Sequence, residues 1–271
     1  MTNRLGFIGT GNMGSAMIKS LVRSGTVDGK NIIISDADPQ KADLLTKETG
    51  VQTAKSNKEV LENSDIVILA VKPNMLKDVL EPLKNDFNKE KILVSVAVGI
   101  PISFYKKIIG QDRKFVRTMP NTTAMVGEGM TLVSFDQIIK EDEKETILKI
   151  FESLGKVETL EEKLMSEVTA VTGSSPAYVF MFIEAMADAA VQSGIPRNLA
   201  YKLSAQAVLG SAKMVLETGK HPGELKDNVC SPAGTTIDAV VSLEKNGFRY
   251  SVIEAMNECT KRARQIGKLY E

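Results

Sequence analysis

Short apolar runs alternate with amphipathic stretches through the first half of the chain. The apolar runs predict five strands, at residues 4–8, 31–35, 65–71, 91–96 and 114–119. Continuous runs of Val, Ile and Leu are typical of parallel strands that are buried on both faces. Residues 13–24 and 41–49 have helical spacing, and residues 134–154 begin polar and become an amphipathic helix. The pattern predicts a parallel sheet with crossover helices.

The second half of the chain shows helical patterns and no convincing strand. Helices are predicted at residues 177–194, 195–219 and 222–228, and from about residues 236 and 249. Two domains follow from this change of character: residues 1–160, which contain the sheet, and residues 161–271, which are all helical.

One predicted helix is apolar almost all the way round. Residues 177–191 carry only Glu184 and Asp188 as charged side chains. Such a helix is normally buried on every side. A domain of about 110 residues buries it most simply against a second subunit, so we expect an obligate oligomer.

Composition and charge exclude several classes of protein. The 271 residues are 43% hydrophobic and 25% charged, and 34 basic side chains balance 34 acidic ones. A net charge of zero gives no field that attracts nucleic acid or an anionic membrane. The longest apolar run, residues 177–183, is far shorter than a membrane span. We expect no signal peptide, because glycines interrupt the N-terminal apolar stretch. Cys230 and Cys259 form no CxxC motif, so we expect no disulfide framework, no metal site and a cytoplasmic location.

A glycine motif follows the first predicted strand and opens a helix. Gly9, Gly11 and Gly14 form GxGxxG: the first permits a tight turn, the second lets the backbone approach a pyrophosphate, and the third lets helix and strand pack closely. Free N–H groups at the helix start would face the phosphates. The alternative is a glycine-rich turn without a ligand. With the alternating pattern, the motif predicts an α/β N-terminal Rossmann-type dinucleotide-binding domain ahead of the all-helical second half.

Two residues at strand ends add to this prediction. Asp36 follows the second strand, where an acidic side chain usually binds the adenosine ribose and favours NADH. Alternatively, Asp36 or Asp38 caps the helix that Pro39 opens. Lys72 follows the third strand and is placed either to meet a phosphate or ribose, or to be an ordinary solvated lysine.

Four segments, GFIGTGNMGSAM, AVKP, RTMPNT and above all HPGELKDNVCSPAGTTIDA, resemble the pyrroline-5-carboxylate reductase family. The resemblance covers residues 5 to about 266. It implies an α/β Rossmann-type dinucleotide-binding domain followed by an all-α dimerisation domain, and assembly as a homodimer or a larger ring of dimers. It also implies reduction of 1-pyrroline-5-carboxylate to L-proline by NADPH or NADH. Members that prefer NADPH have Ser, Asn or Arg near the position of Asp36, so this chain departs from them there.

The resemblance also assigns roles to individual positions. The implied cofactor contacts are Ile8, Gly9, Thr10, Gly11, Asn12, Met13, Gly14, Asp36, Asn57, Ala70, Val71, Lys72, Pro73 and Ala97. The implied substrate loop carries Asn228, Val229, Ser231, Gly234, Thr235 and Thr236.

The chemistry of a cyclic imine fits this second set. Its nitrogen can be protonated from solution, so no strong general acid is required. Backbone N–H groups between Ser231 and Thr236 can hold the substrate carboxylate at a helix start. Thr236 is the candidate catalytic residue, an orienting donor to the ring nitrogen, since a hydroxyl is too weak an acid to do more. The alternative for Thr236 is an N-terminal helix cap.

The sequence assigns no definite catalytic role to three other polar residues, His221, Cys230 and Glu162. His221, the single histidine, stands at a predicted helix start and is taken as structural. Cys230 lies inside the substrate loop but has no histidine near it in sequence. Glu162 either approaches a positive iminium or is a first-turn glutamate favoured by the helix dipole.

Two rival functions remain to be weighed. Dehydrogenases of the 3-hydroxyacid or 6-phosphogluconate type have a similar N-terminal half and place a catalytic lysine early in the second domain, whereas residues 173–183 here contain none. A non-catalytic dinucleotide-binding protein is the other alternative, and the intact DNVCSPAGTT loop argues against it.

Overall fold

The computed structural model describes residues 3–270 and contains an eight-stranded sheet. The strands are β1 (Leu5–Ile8), β2 (Ile32–Ser35), β3 (Gln52–Thr53), β4 (Ile66–Leu69), β5 (Ile92–Ser95), β6 (Lys114–Met119), β7 (Gly129–Phe135) and β8 (Gly155–Thr159). Their order is β3-β2-β1-β4-β5-β6-β7-β8, and every neighbouring pair is parallel except β6 and β7. The strand order reverses direction at β1 and β4, and ligands of such sheets bind beyond the carboxyl ends of the strands at that point.

Helices cover both faces of this sheet. They are α1 (Asn12–Arg23), α2 (Pro39–Thr49), α3 (Asn57–Glu62), α4 (Leu76–Leu80), α5 (Ile102–Ile109) and α6 (Glu141–Glu152). Each of β1, β2, β4 and β5 is buried along its whole length, because successive side chains enter two separate apolar clusters. The cluster on one face contains Phe7 and Ile68, and the cluster on the other contains Ile8 and Leu69. The predicted α/β class is confirmed.

Three strands differ from the sequence-based expectation. The apolar pattern predicted neither β3, which has only two residues, nor β8, whose side chains are mostly exposed at the sheet edge. It also joined residues 134–140 to a helix, whereas Ser134 is buried in β7 and α6 begins at Glu141. Gly129, Thr131 and Ser134 interrupt the apolar pattern of β7, so the apolar-run criterion did not detect it.

The remaining helices are α7 (Ser175–Gln192), α8 (Arg197–Thr218), α9 (Pro222–Val229), α10 (Thr235–Lys245) and α11 (Phe248–Lys268). The chain divides into two compact units, here called the sheet unit (residues 3–174 and 259–270) and the helical unit (residues 175–258). This division differs from the predicted boundary between residues 160 and 161, because residues 161–174 and 259–270 belong to the sheet unit.

The end of α11 and the residues that follow it make specific contacts within the sheet unit. Arg264 donates from Nε and Nη2 to the two carboxylate oxygens of Glu167, at 2.9 and 2.6 Å. The ring of Tyr270 meets that of Phe104 edge-on, with centroids 5.3 Å apart. A Cβ added at Gly99 would lie 3.0 Å from Ile266. The C-terminal segment is therefore an integral part of this unit.

The helical unit buries little of its own apolar surface. Within residues 175–258 the buried residues are Ala187, Ala200 and Ser204. Phe180 is 60% exposed and Met181 69% exposed on α7, so the single chain does not bury residues 177–191, and their burial against a second subunit stays a prediction. An apolar surface of this kind marks an interaction site.

Candidate functional site

The glycine turn after β1 leaves little room for side chains at two of its three glycines. Gly9 has φ +99°, and a Cβ there would lie 2.7 Å from the carbonyl oxygen of Ala70. A Cβ on Gly14 would lie 2.3 Å from the carbonyl oxygen of Gly9. Near Gly11, by contrast, no protein atom lies within 4 Å of an added Cβ. These distances agree with the roles expected for the three positions: Gly9 and Gly14 permit close packing, and Gly11 borders open space.

The start of α1 offers unpaired backbone donors beside this turn. The first hydrogen bond between α1 and the turn is donated by the Ser15 N–H to the Gly11 carbonyl, at 2.9 Å. Gly11 occupies the N-cap position and has no side chain that could accept from the first turn. Such unpaired N–H groups, at the positive end of a helix, form an anion site. Met13 contributes only its backbone here, because its side chain packs against the core.

Asp36 and Asp38, which the sequence left as alternative caps, have different roles. Asp38 is the N-cap of α2 and accepts from Gln40 N–H at 3.1 Å. Asp36 reaches the glycine turn instead: its Oδ2 accepts from the Thr10 N–H at 2.6 Å and from the Thr10 hydroxyl at 2.8 Å. Its Oδ1 accepts from Asp38 N–H at 2.9 Å.

These contacts keep the Asp36 carboxylate ionised. Partial burial acts to raise the pKa of Asp36, but the hydrogen bonds from Asp38 and Thr10, together with the charge of Lys41, outweigh burial and hold that pKa below its usual value. Asp36 therefore presents a fixed negative charge at the end of β2.

A cleft of about 490 Å³ lies beyond the carboxyl ends of β1, β2 and β4. Eight of the residues expected to contact the cofactor line it: Ile8, Gly9, Gly11, Asp36, Asn57, Ala70, Val71 and Lys72. Six do not: Thr10, Asn12, Met13, Gly14, Pro73 and Ala97. Of these six, Thr10 is tied to Asp36, and Asn12, Met13 and Gly14 form the first turn of α1.

The cleft also has lining residues that the sequence analysis missed. Ala54, Lys55 and Ser56 follow the short strand β3, and Met75 and Val79 come from the segment after β4. The rule that ligands lie at carboxyl strand ends would have selected the first three, had β3 been recognised.

Hydrogen bonds order the chain near Asn57, which lines the cleft, and near Ala97, which does not. The Ser35 hydroxyl donates to the Asn57 side-chain oxygen at 2.7 Å, which orients that amide beside the cleft. Ala97 N–H donates to the Ser95 hydroxyl at 3.1 Å, and the Ser95 and Tyr105 hydroxyls lie 2.6 Å apart. Burial raises the pKa of Tyr105, so its phenol stays neutral. Ala97 itself is buried, so a ligand could contact only the loop surface around it.

In the helical unit, the expected substrate residues lie at the end of α9, in the connection formed by residues 230–234, and at the start of α10. Asn228 and Val229 end α9, and Val229 is 65% exposed. Gly234 N–H donates to the Ser231 carbonyl at 3.0 Å, which closes a tight turn. Ala233 within it has φ +54°, the positive φ of a non-glycine residue that is often found at functional loops.

The structure excludes one of the two interpretations of Thr236, the N-terminal helix cap. Gly234 is the N-cap of α10, without a side-chain capping bond, and Thr235 and Thr236 are the first two helical residues. Neither threonine is therefore the N-cap. Within the described residues, no hydrogen bond of either hydroxyl is found, so both remain available to a ligand together with the N–H groups of the first turn.

The residues interpreted as structural have protein partners. His221 is the N-cap of α9, and its Nδ1 accepts from Gly223 N–H at 3.0 Å. Glu162 accepts from Ile102 N–H at 2.7 Å and from Arg117 Nη1 at 3.2 Å. Both side chains hold backbone segments in place.

Residues 3–270 contain no candidate membrane-spanning helix and no candidate metal-binding cluster. No described helix combines the length and the apolar character needed to cross a membrane. In the same range, no group of three or more His, Cys, Asp or Glu side chains is arranged to hold a metal ion.

Comparisons with known proteins agree across the whole chain. Residues 162–266 match the family model for pyrroline-5-carboxylate reductase dimerisation, and residues 4–99 match the model for NADP oxidoreductase, coenzyme F420-dependent. The pyrroline-5-carboxylate reductase of Escherichia coli (strain K12) is 47% identical over 99% of this chain and 100% of its own length. That of Pisum sativum is 40% identical over 97% and 95%. The crystal structure of Plasmodium falciparum pyrroline carboxylate reductase with NADP bound superimposes with a TM-score of 0.90 at 33% identity, covering 98% of each chain. The chain therefore belongs to the pyrroline-5-carboxylate reductase family.

Proposed function

We propose that this protein reduces 1-pyrroline-5-carboxylate to L-proline, with NADPH or NADH as the hydride donor. The observation that carries the proposal is full-length similarity, at 47% identity, to a relative named for this substrate. The cleft of the sheet unit fits the dinucleotide, because Gly11 borders open space and the start of α1 supplies free donors. Residues 8–14, Asp36, Asn57, residues 70–73 and Ala97 are the proposed cofactor contacts.

The loop of the helical unit would bind the substrate carboxylate. Its binding groups are the N–H groups at the start of α10 and the hydroxyls of Ser231, Thr235 and Thr236, since a helix N-terminus favours an anion. Asn228, Val229 and Gly234 complete the proposed contacts. These groups would fix the orientation of the substrate ring.

Thr236 is the proposed hydrogen-bond partner of the ring nitrogen: its hydroxyl would donate to the neutral imine and accept from the N–H of the protonated iminium. The nicotinamide supplies the hydride that reduces the imine carbon. Because solvent protonates the imine nitrogen, the site has to hold the iminium in place rather than deliver the proton, and a neutral hydroxyl is suited to that role.

The two rival functions are less well supported. The sequence of α7, SPAYVFMFIEAMADAAVQ, has no lysine to deprotonate an alcohol, as a hydroxyacid dehydrogenase requires. A non-catalytic dinucleotide-binding protein would have no need for a second loop with free hydroxyls beside a helix start. We further propose a homodimer or a larger ring of dimers, without a nucleic-acid partner, in the cytoplasm.

Steady-state oxidation of NADH and NADPH in the presence of 1-pyrroline-5-carboxylate tests the function. We expect turnover with at least one dinucleotide, and proline as the product by chromatography. Dinucleotide binding without turnover of this imine would reject the proposed reaction in favour of the non-catalytic alternative.

Replacing Thr236 by valine is expected to lower kcat/KM for the imine by about 10- to 100-fold, the value of one hydrogen bond to a charged group. The matched variant Thr236→Ser keeps the hydroxyl and should retain most of the activity. Kinetics at saturating dinucleotide, with circular dichroism to confirm folding, would measure both. Equal activity of the two variants would remove Thr236 from the mechanism.

A further inference from the structure

The contacts of Asp36 bear on which dinucleotide the cleft takes. β2 ends at Ser35, and Asp36 follows it directly on the wall of the cleft. In this fold the residue at the end of the second strand meets the 2′ position of the adenosine ribose, the position at which NADPH carries a phosphate and NADH a hydroxyl. A side chain that is fixed and charged there discriminates between the two.

Asp36 is fixed from two sides. Thr10 donates to Oδ2 through both its N–H and its hydroxyl, and Asp38 N–H donates to Oδ1. A carboxylate has about four acceptor positions, so three bonds leave about one for a ribose hydroxyl. The carboxylate cannot turn away from the cleft without losing these three hydrogen bonds.

Cations in the same cleft oppose this effect. Three lysines line the cleft. Lys41 and Lys55 follow β2 and β3 and would attract a 2′-phosphate, whereas Lys72 follows β4, away from the end of β2. Lys41 is already paired with Asp38 at 3.7 Å, and both members of that pair are well exposed. Exposed, flexible charges are screened by water and salt, whereas the Asp36 carboxylate is held in one position. We therefore expect the effect of Asp36 to exceed that of the two lysines.

We propose that this enzyme selects NADH over NADPH through the Asp36 carboxylate, and that the Thr10 side chain is a positioning residue for it. The proposal rests on the proposed function, since it assumes a nicotinamide dinucleotide in the cleft. Two like charges in near contact change a binding constant by about fivefold even at the dielectric constant of water, and by more in a partly dry cleft.

Isothermal titration calorimetry of the full-length protein with NADH and NADPH, separately and without substrate, provides the test. The wild type should bind NADH at least about fivefold more tightly than NADPH, and the ratio should fall as salt is raised. Asp36→Ser should lower the ratio of NADH affinity to NADPH affinity by about tenfold or more and reverse the preference. Without the Asp36 charge, the attraction of Lys41 and Lys55 for the 2′-phosphate is no longer countered by repulsion. Asp43→Ser removes the same charge from an exposed position of α2 outside the cleft and should leave the ratio unchanged.

Thr10→Val keeps the backbone N–H and removes the hydroxyl. It should lower the ratio by about two- to threefold, mainly through weaker NADH binding, and Thr10→Ser should restore it. A purely structural role for Thr10 would weaken binding of both dinucleotides equally.

The outcomes separate the two proposals. Tighter binding of NADPH by the wild type, or equal ratios in Asp36→Ser and Asp43→Ser, would overturn the inference while leaving the reductase function intact. Failure to bind either dinucleotide would overturn both. NADH-selective binding that responds to Asp36, without turnover of the imine, would support the inference and reject the function.

Discussion

Replacing Gly11 by alanine should weaken dinucleotide binding by about 100-fold or more and leave the fold intact. No protein atom lies within 4 Å of the added Cβ, and the backbone angles at Gly11 are open to alanine. The methyl group would instead occupy space that the pyrophosphate needs in order to approach the backbone. Loss of the preferred N-cap glycine should lower the melting temperature by no more than about 4 °C. Calorimetry with NADH and a thermal melt measure the two effects.

Gly14→Ala is the contrasting variant. Its Cβ would lie 2.3 Å from the carbonyl oxygen of Gly9, so the turn itself must move and both stability and binding should be lost. Binding by Gly11→Ala close to that of the wild type would show that the dinucleotide lies elsewhere.

Introducing a charge on α7 should dissociate the oligomer. Met181 is 69% exposed among other apolar side chains of the helical unit. In a symmetric dimer Met181→Glu would bury an unpaired carboxylate twice, at a cost of several kcal/mol each, and should raise the dissociation constant by about 1,000-fold or more. Sedimentation velocity at micromolar concentration measures this.

Gln192→Glu is the matched control for this prediction. It adds the same charge at the exposed end of α7 and should leave the oligomer unchanged. A wild-type protein that sediments as a stable monomer would contradict the expected oligomer.

The sequence predicted the parts of the fold whose cause is local or strongly patterned. The continuous apolar run IVIL of β4 is buried along its length, and GxGxxG fixes a turn whose geometry admits no side chain at Gly9 or Gly14. The strand β3 was not detectable, because its two exposed residues form a strand only by pairing with β2. β8 was missed for a similar reason, since its polar side chains are compatible with a loop until β7 supplies the pairing partner.

In the candidate site, the sequence pattern also could not assign roles to single side chains that depend on distant residues. Asp36 and Asp38 are equivalent as caps when only the neighbouring residues are considered. They differ because Thr10, 26 residues away in the chain, lies against Asp36 in the folded sheet unit. Likewise, the choice of Gly234 as the N-cap of α10 depends on the turn closed by Ser231, which the sequence pattern alone did not specify.

The discontinuity of the sheet unit has a consequence for the order of folding during synthesis. Domains usually fold in the order in which they leave the ribosome. Here residues 259–270, which bind Glu167 through Arg264 and Phe104 through Tyr270, are made after all eight strands and after the whole helical unit. The sheet unit is therefore begun before the helical unit and completed after it, and the Gly99 loop meets Ile266 only once residues 259–270 have been made.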